Sequence, residues 1–437
     1  MRGVGVLAGG AALSQALNMF ASPVLTRLYT REQYGVLSQY MALLAICLVV
    51  VSLRYEVTVP LADDEDEAVH LVSLGLLLST VTSVCVLLVL LATGGSLAAR
   101  LGFPSLGAFI FLLPLGLLGG GFYQSLNYWA IRQRWFPLIA KTRLQQVSGA
   151  LSIQATFGGL AKASVLQVGP LGLILGSIAN QTLGYTGFAR RGKLIVRMRE
   201  ARVSWPVLVA AARRHRRTAL GSSVSGFINV LGIQLPFLLM ARIYGDAASG
   251  CLWLSSHIVT AGAELIGNAV GQTYYGEASA RYREDRRALR RLFAKALRTL
   301  LAINVLAAAT LWIAAPTVMS IVFGSKWADA GIFARYQSLV LLGTLTCSPL
   351  STTIFILRKV HLQVVWDIFR IGVVAGSFYG AHYLQWGPSQ AVLLYSAGSL
   401  AAYFLWVGIL FVLVSRADDA DDGTLGPADG PPKVTVA

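Results

Sequence analysis

A row of polar side chains runs along one apolar stretch of the chain, between residues 257 and 275. Its members follow one another at steps of three or four residues: His257, Thr260, Glu264, Asn268, Gln272 and Tyr275. Since an α-helix turns once every 3.6 residues, this spacing places them along one side of a single helix. Such a stripe indicates a water-filled lumen or a buried polar seam between helices. The lumen is favoured, because no matching row of partner residues is evident in the sequence.

Charged groups inside apolar helices are costly to bury and usually face a cavity or a partner. Glu264 lies near the centre of its stretch, where a carboxylate could take up a proton on one side of a membrane and release it on the other. We assign it to ion coupling, which loss of the response to a pH gradient in Glu264→Gln would support. His257, two turns away, is interpreted as a proton relay or as a neutral histidine hydrogen-bonded between helices.

Two other charged pairs fall inside apolar segments, Arg54 with Glu56 and Asp367 with Arg370. Three of these residues, Glu56, Asp367 and Arg370, complete the candidate ion-coupling set. Arg54 and Glu56 are two residues apart and cannot face each other on a helix, so each needs another partner or reaches water by snorkelling. Asp367 and Arg370 are spaced i, i+3 and can pair on one face. A structural ion pair and a role in a lumen are both open for this second pair.

The composition predicts an all-α membrane protein. Of 437 residues, 55% are hydrophobic and 13% charged, and the mean hydropathy is +0.64. A span needs about 20 mostly apolar residues to cross a bilayer. Twelve such stretches are found, at approximately 4–25, 35–60, 68–92, 106–130, 138–160 and 167–188, then 218–244, 250–275, 297–318, 333–357, 362–384 and 389–415.

Short motifs recur about 215 residues apart, which predicts two related halves of six helices inserted in the same orientation. The matched pieces are Arg27-Leu28-Tyr29 with Arg242-Ile243-Tyr244, Gly35-Val36-Leu37 with Gly250-Cys251-Leu252, and Ser14-x-x-x-Asn18 with Ser225-x-x-x-Asn229. The predicted divisions are a first half at 1–188, a basic linker at 189–217, a second half at 218–415 and a disordered acidic tail at 416–437.

The distribution of cations predicts that both termini, the linker and the tail lie in the cytoplasm, since Lys and Arg accumulate on that side. The net charge of +16 is concentrated in short loops beside apolar segments. Anionic membrane lipids are therefore the expected partners, and nucleic acid is not. Residues 288–300 carry apolar and cationic faces, which indicates an interfacial helix or a cytoplasmic extension of the following span.

Enzyme and metal chemistry have little support in the sequence. The four cysteines are scattered without paired spacing, and no cofactor or metal site is predicted. The acidic runs at 63–67 and 418–422 are interpreted as solvated charge, since neither follows a strand of an α/β domain. Gly119–Gly121 lies inside a span, where small residues permit close helix packing rather than phosphate binding.

Several segments resemble the Wzx-type oligosaccharide flippases of the polysaccharide transporter family. These are residues 23–29 (PVLTRLY) with Tyr34-Gly35, residues 53–56 (LRYE) with Pro60 and the acidic loop, residues 169–176 (GPLGLILG) and residues 323–331 (FGSKWADAG). The chain departs from the pattern at residues 30–32, which lack the usual proline, and at Thr58, where alanine is commoner.

The resemblance implies two six-helix bundles facing each other across a central cavity, as in the multidrug/oligosaccharidyl-lipid/polysaccharide exporter superfamily. It implies a polyprenyl-diphosphate-linked oligosaccharide as cargo, flipped to the outer leaflet of a bacterial inner membrane, with polysaccharide polymerase and chain-length proteins as further partners. Candidate substrate-binding residues are Arg54, Lys141 and Arg143 for the diphosphate, with Asn18, Asn229 and Gln272. The alternatives are a small-solute or drug exporter of the same fold and a membrane glycan polymerase or ligase.

Overall fold

The computed structural model describes residues 2–164, 169–261, 263–284, 286–357, 359 and 361–419, with side chains undescribed at 2–4, 6–8, 263–266, 268, 269, 283, 284, 286 and 417–419. This part of the chain is helical almost throughout and forms no strand. In the first half the helices are α1 Arg2–Leu28, α2 Arg31–Val50, α3 Glu65–Ala92, α4 Ser96–Arg100, α5 Leu113–Arg132, α6 Phe136–Lys162, α7 Leu171–Thr182, α8 Tyr185–Arg191 and α9 Leu194–Glu200.

The second half continues the same all-helical architecture. Its helices are α10 Trp205–Tyr244, α11 Asp246–Ala261, α12 Ala263–Glu284, α13 Arg286–Phe323, α14 Ala328–Ser351, α15 Thr353–Ile356, α16 His361–Tyr383 and α17 Pro388–Asp419. Short 3₁₀ helices occupy Tyr55–Leu61, Pro104–Leu112 and Ser325–Trp327. Each of the twelve predicted spans coincides with one helix or with two consecutive helices, so the predicted fold class is confirmed.

Within the described residues, eight helical segments are long and apolar enough to cross a membrane. They correspond to the second, third, fourth, seventh, ninth, tenth, eleventh and twelfth predicted spans. The other four are α1, α6, α7 with α8, and α11 with α12. One of these is interrupted, after Thr182, and all four contribute polar side chains to the central cavity described below.

Two glycines allow α2 of the first half and α11 of the second to touch backbone to backbone. A Cβ atom at Gly35 would lie 2.1 Å from the carbonyl oxygen of Asp246, and one at Gly250 would lie 2.0 Å from that of Arg31. These glycines are one of the matched pairs of the sequence repeat. Each packs against the first residue of the partner helix, so the contact is symmetric between the halves and explains why both repeats need glycine.

Polar contacts surround this glycine contact and join the halves further. The hydroxyls of Ser38 and Ser249 are 2.6 Å apart, and the Gln39 amide donates to Asp246 at 2.5 Å. Around them Arg31 pairs with Asp329 at 2.9 Å, and the Trp327 indole donates to the Thr26 carbonyl at 3.2 Å. We call this region, made of residues 26–39, 242–256 and 323–330, the closed end.

At the opposite end of the helices, the acidic loop pairs with the basic linker. Glu65 accepts from Arg197 at 3.0 Å, while Glu67 accepts from Arg214 at 2.9 Å and contacts His215 at 3.1 Å. The interpretation of this loop as solvated charge is therefore wrong for these two carboxylates, because burial beside α9 and α10 gives them partners. We call this region, residues 54–67 with 190–217, the basic end.

Other boundaries differ from the sequence expectation for physical reasons. The second span ends at Val50, and the chain turns through Leu53 and Arg54, both in the left-handed region at φ 50° and 56°. Residues 288–300 belong to one continuous helix, α13, so they are an extension of the following span. Gly119 and Gly121 pack directly against Thr182 and Ser79, as expected for close helix packing. Residues 420–437 of the predicted tail lie outside the described residues.

Candidate substrate cavity

A cavity of about 460 Å³ lies between the two halves. Helices α1, α2, α6 and α7 of the first half and α10 and α11 of the second line it. Leu25, Tyr34 and Trp253 form its walls toward the closed end. The polar side chains that line it are Gln15, Asn18, Ser22, Gln154, Ser177, Asn180, Gln234, Ser256, His257 and Thr260.

The hydroxyls and the amides of the lining behave differently. Ser22, Ser177 and Thr260 bond to carbonyl groups in the preceding turn of their own helices, at 2.7 to 2.9 Å. In contrast, the amides of Gln15, Asn18 and Asn180 have no hydrogen-bond partner among the described residues.

The amide of Gln234 shows this most clearly. Its oxygen is buried and without a partner in the part of the chain that the structure describes. A buried acceptor without a partner costs about 1 to 3 kcal/mol. Amides both donate and accept, so together with Gln15, Asn18 and Asn180 this side chain suits a ligand rich in hydroxyl groups.

Charge is nearly absent from the lining. Among the described side chains the cavity has no Asp, Glu, Lys or Arg, and His257 is the one imidazole in its lining. The His257 ring stacks near Trp253, with centroids 4.3 Å apart, and Nδ1 lies 3.2 Å from the Trp253 carbonyl. The imidazole lines the cavity, and its contact is with a carbonyl of its own helix.

The polar stripe through α11 and α12 is only partly placed by the structure. His257 and Thr260 line the cavity, whereas Gln272 and Tyr275 are exposed on α12 and do not appear in its described lining. The side chains of Glu264 and Asn268 lie outside the described residues. The assignment of Glu264 to ion coupling therefore stays a prediction.

Lys141 and Arg143 are exposed cations on the same helix, but they face different directions. Ala150 and Gln154 show which face of α6 meets the cavity. Arg143 lies on that face, about 16 Å along the axis from Gln154, whereas Lys141 is turned roughly 140° away. Only Arg143 is thus aligned with the cavity.

Arg54 and Glu56 lie at the basic end and are not part of the described lining. A Cβ atom at Gly226 of α10 would meet the Arg54 guanidinium at 2.1 Å, so the arginine packs across the contact between the halves. Glu56 is 4% exposed and accepts a hydrogen bond from the Ser52 hydroxyl. The Arg54 side chain is thus packed against α10 and is not in a snorkelling conformation.

Asp367, Arg370 and Asn229 form one cluster between α16 and α10. Arg370 lies 3.4 Å from Asp367, which is 1% exposed, and donates to the Asn229 carbonyl at 2.9 Å. Gly232 gives the guanidinium room, since a Cβ there would lie 3.0 Å from it. The cluster stands outside the described cavity lining and joins two helices of the second half.

Sequence reasoning missed four of the amides that line the cavity, Gln15, Gln154, Asn180 and Gln234. The repeat gave no signal for them, because Gln15 lies eight residues before Pro23 and Gln234 only two residues before Pro236. The motif match instead paired Asn18 with Asn229, which the structure places in different surroundings.

Comparison with known proteins supports this architecture. A family described as "Polysaccharide biosynthesis protein" matches residues 24–331. An inward-facing structure of a multidrug resistance MATE family transporter of the MOP superfamily has 15% identity and a TM-score of 0.65, with 94% of this chain and 95% of that chain covered. No curated protein sequence matches the chain.

Two other solved structures share the fold. An outward-facing MATE transporter of the same superfamily has 15% identity and a TM-score of 0.61, covering 95% of this chain and 96% of that one. A MOP superfamily transporter from Pyrococcus furiosus has 15% identity and a TM-score of 0.60, with the same coverage. Family and fold together indicate a membrane transporter rather than an enzyme. The chain belongs to the polysaccharide biosynthesis protein family and has the fold of the MOP superfamily transporters.

Proposed function

We propose that this protein flips a polyprenyl-diphosphate-linked oligosaccharide from the cytoplasmic to the outer leaflet of a bacterial inner membrane. The observation that carries the proposal is the set of unpartnered amides around a cavity between the halves. Each glycan hydroxyl moved into hydrocarbon without a partner costs about 2 to 7 kcal/mol. A cavity that offers amide donors and acceptors removes that barrier, while the lipid tail stays in the bilayer.

The scarcity of charge in the cavity favours a neutral glycan over a cationic drug. A buried cation needs a carboxylate or a comparable partner to offset the loss of its hydration. Among the described lining residues no carboxylate is present. The family match to polysaccharide biosynthesis supports the same choice of cargo.

In this proposal the basic end lies in the cytoplasm. It contains the arginine-rich linker, and Lys and Arg accumulate on the cytoplasmic side of membrane proteins. In a variant with Cys47, Cys85, Cys251 and Cys347 replaced by serine, we expect Ser204→Cys to react with a membrane-impermeant maleimide only after the cells are permeabilised. Gln385→Cys, exposed in the loop between α16 and α17, is the matched control and should react in intact cells. Labelling of Ser204→Cys from outside would contradict the orientation.

Arg143 is proposed to receive the diphosphate at the basic end of the cavity. Hydrogen bonds to charged groups contribute about 1.5 to 3 kcal/mol, so Arg143→Ala should lower glycan export at least tenfold at unchanged membrane abundance. Arg143→Lys should retain part of the export, since it keeps the charge but loses the planar fork. The measurement is the amount of lipid-linked glycan that reaches the outer leaflet.

Lys141→Ala is the matched control for this experiment. It removes a cation from the same helix two residues away, on a face turned from the cavity, and should leave export unchanged. An equal loss in both alanine variants would show that general surface charge, rather than diphosphate binding by Arg143, affects export. Coupling to an ion gradient through Glu264 is part of the proposal and rests on its place in the polar stripe alone.

A further inference from the structure

Two adjoining cavities form a groove on the first half, separate from the central cavity. One, of about 440 Å³, lies between α5, α6 and α7, and the other, of about 400 Å³, lies between α3, α5, α8 and α9. Both are lined by Phe122 and Tyr185, whose rings meet edge to face with centroids 6.0 Å apart. The groove therefore continues from Leu115 to Ile195.

The lining of the groove is apolar along its length and cationic at one end. Arg190 and Lys193 line its mouth at the basic end. Beside them α9 buries Leu194 but leaves Ile195 69% and Val196 48% exposed. Apolar side chains open to the surroundings next to cations are typical of a segment at the level of lipid headgroups.

The length of the groove matches one leaflet. From Leu115 to Leu126, which line its two ends on α5, the helix rises about 16 Å. The hydrocarbon core of a bilayer is about 30 Å thick, so one leaflet takes about half of that. The groove thus reaches from the headgroup level to the middle of the membrane.

We propose that this groove binds an anionic phospholipid, with one acyl chain along α5 and the phosphate held by Arg190 and Lys193. The charge at the mouth selects an anionic headgroup, and the apolar lining with its one-leaflet length accommodates a chain. The site is independent of the central cavity and of the transported cargo.

The proposal is tested by native mass spectrometry of the full-length protein with phosphatidylglycerol or phosphatidylcholine carrying identical acyl chains. A cation near an anionic headgroup gives about a fivefold preference, so the protein should retain phosphatidylglycerol at least fivefold more strongly. Arg190→Gln with Lys193→Gln should remove this preference. The control pair Arg199→Gln with Arg202→Gln changes two exposed cations of the same linker that do not line the groove, and should keep it.

A second variant tests the apolar part of the groove. Ala179→Phe, which places a ring in the cavity between α5 and α7, should lower retention of both lipids, and Ala189→Phe does the same in the other cavity if the first variant fails to fold. Excess inorganic phosphate should not displace the lipid. Any of four results would overturn the proposal. The wild type could retain the two lipids equally, or the control pair could lose the preference as fully as the Arg190 and Lys193 pair. The phenylalanine variants could retain lipid fully, or phosphate could displace it.

Discussion

Gly35→Ala is expected to reduce glycan export at least fivefold, and Gly250→Ala is expected to do the same. In each variant the new methyl group would lie about 2 Å from a backbone carbonyl oxygen of the partner helix. Backbone cannot swing aside as a flexible side chain does, so α2 and α11 must separate by more than 1 Å. Overpacking of this kind costs about 1 to 3 kcal/mol, which lowers the population of the closed end roughly 5- to 150-fold.

The effect should appear as lost transport with the protein still inserted in the membrane. Transport by rocking of two halves needs each end to close in turn, so a closed end that cannot form stops the cycle. Gly376→Ala is the matched control, because a Cβ there meets nothing within 4 Å on the membrane-spanning helix α16. Export at the wild-type rate in both Gly35→Ala and Gly250→Ala would contradict the role of this contact.

Asn18→Leu combined with Asn180→Leu is expected to reduce glycan flipping by about two orders of magnitude. Both replacements keep the approximate size of the side chain and remove an amide that faces the cavity. Each glycan hydroxyl left without a partner costs about 1 to 3 kcal/mol, and about 1.4 kcal/mol corresponds to a factor of ten. Because neither amide bonds to a described protein group, folding should be little affected.

The control for the amide variant is Leu151→Ile, an apolar exchange in the same cavity lining. It keeps the volume and the polarity of the wall, so flipping should stay within a factor of two or three of the wild type. Equal activity of the double leucine variant and the wild type would show that the amides do not contact the cargo.

The sequence predicted the all-helical fold and the order of its long apolar helices, because apolar runs of span length are a direct consequence of the bilayer. It also identified the matched glycines, Gly35 and Gly250, whose symmetric contact the structure explains. The positions where helices end and the chain turns were harder to predict. Leu53 and Arg54 adopt left-handed conformations without any glycine to signal them, and the turn is instead held by the packing of Arg54 against Gly226.

The candidate site was predictable only in part, since facing a cavity depends on helix rotation. Arg143 and Lys141 look equivalent in sequence, and only the position of Gln154 on α6 separates them. Asn229 matches Asn18 in the repeated motif, yet Asn229 lies against Arg370, which donates a hydrogen bond to the Asn229 backbone carbonyl. A pattern within one helix gives the face of a residue, while its neighbours depend on contacts between distant segments.

The central claim is tested most directly by flipping in vesicles that contain only the purified protein. Polyprenyl-diphosphate-linked oligosaccharide is placed in the inner leaflet, and its arrival outside is followed with an impermeant lectin or glycosidase. We predict transfer at least tenfold faster than in vesicles without protein, and near-background transfer with the Asn18→Leu and Asn180→Leu variant. Transfer at the protein-free rate, together with protein-dependent movement of cationic dyes, would contradict the account.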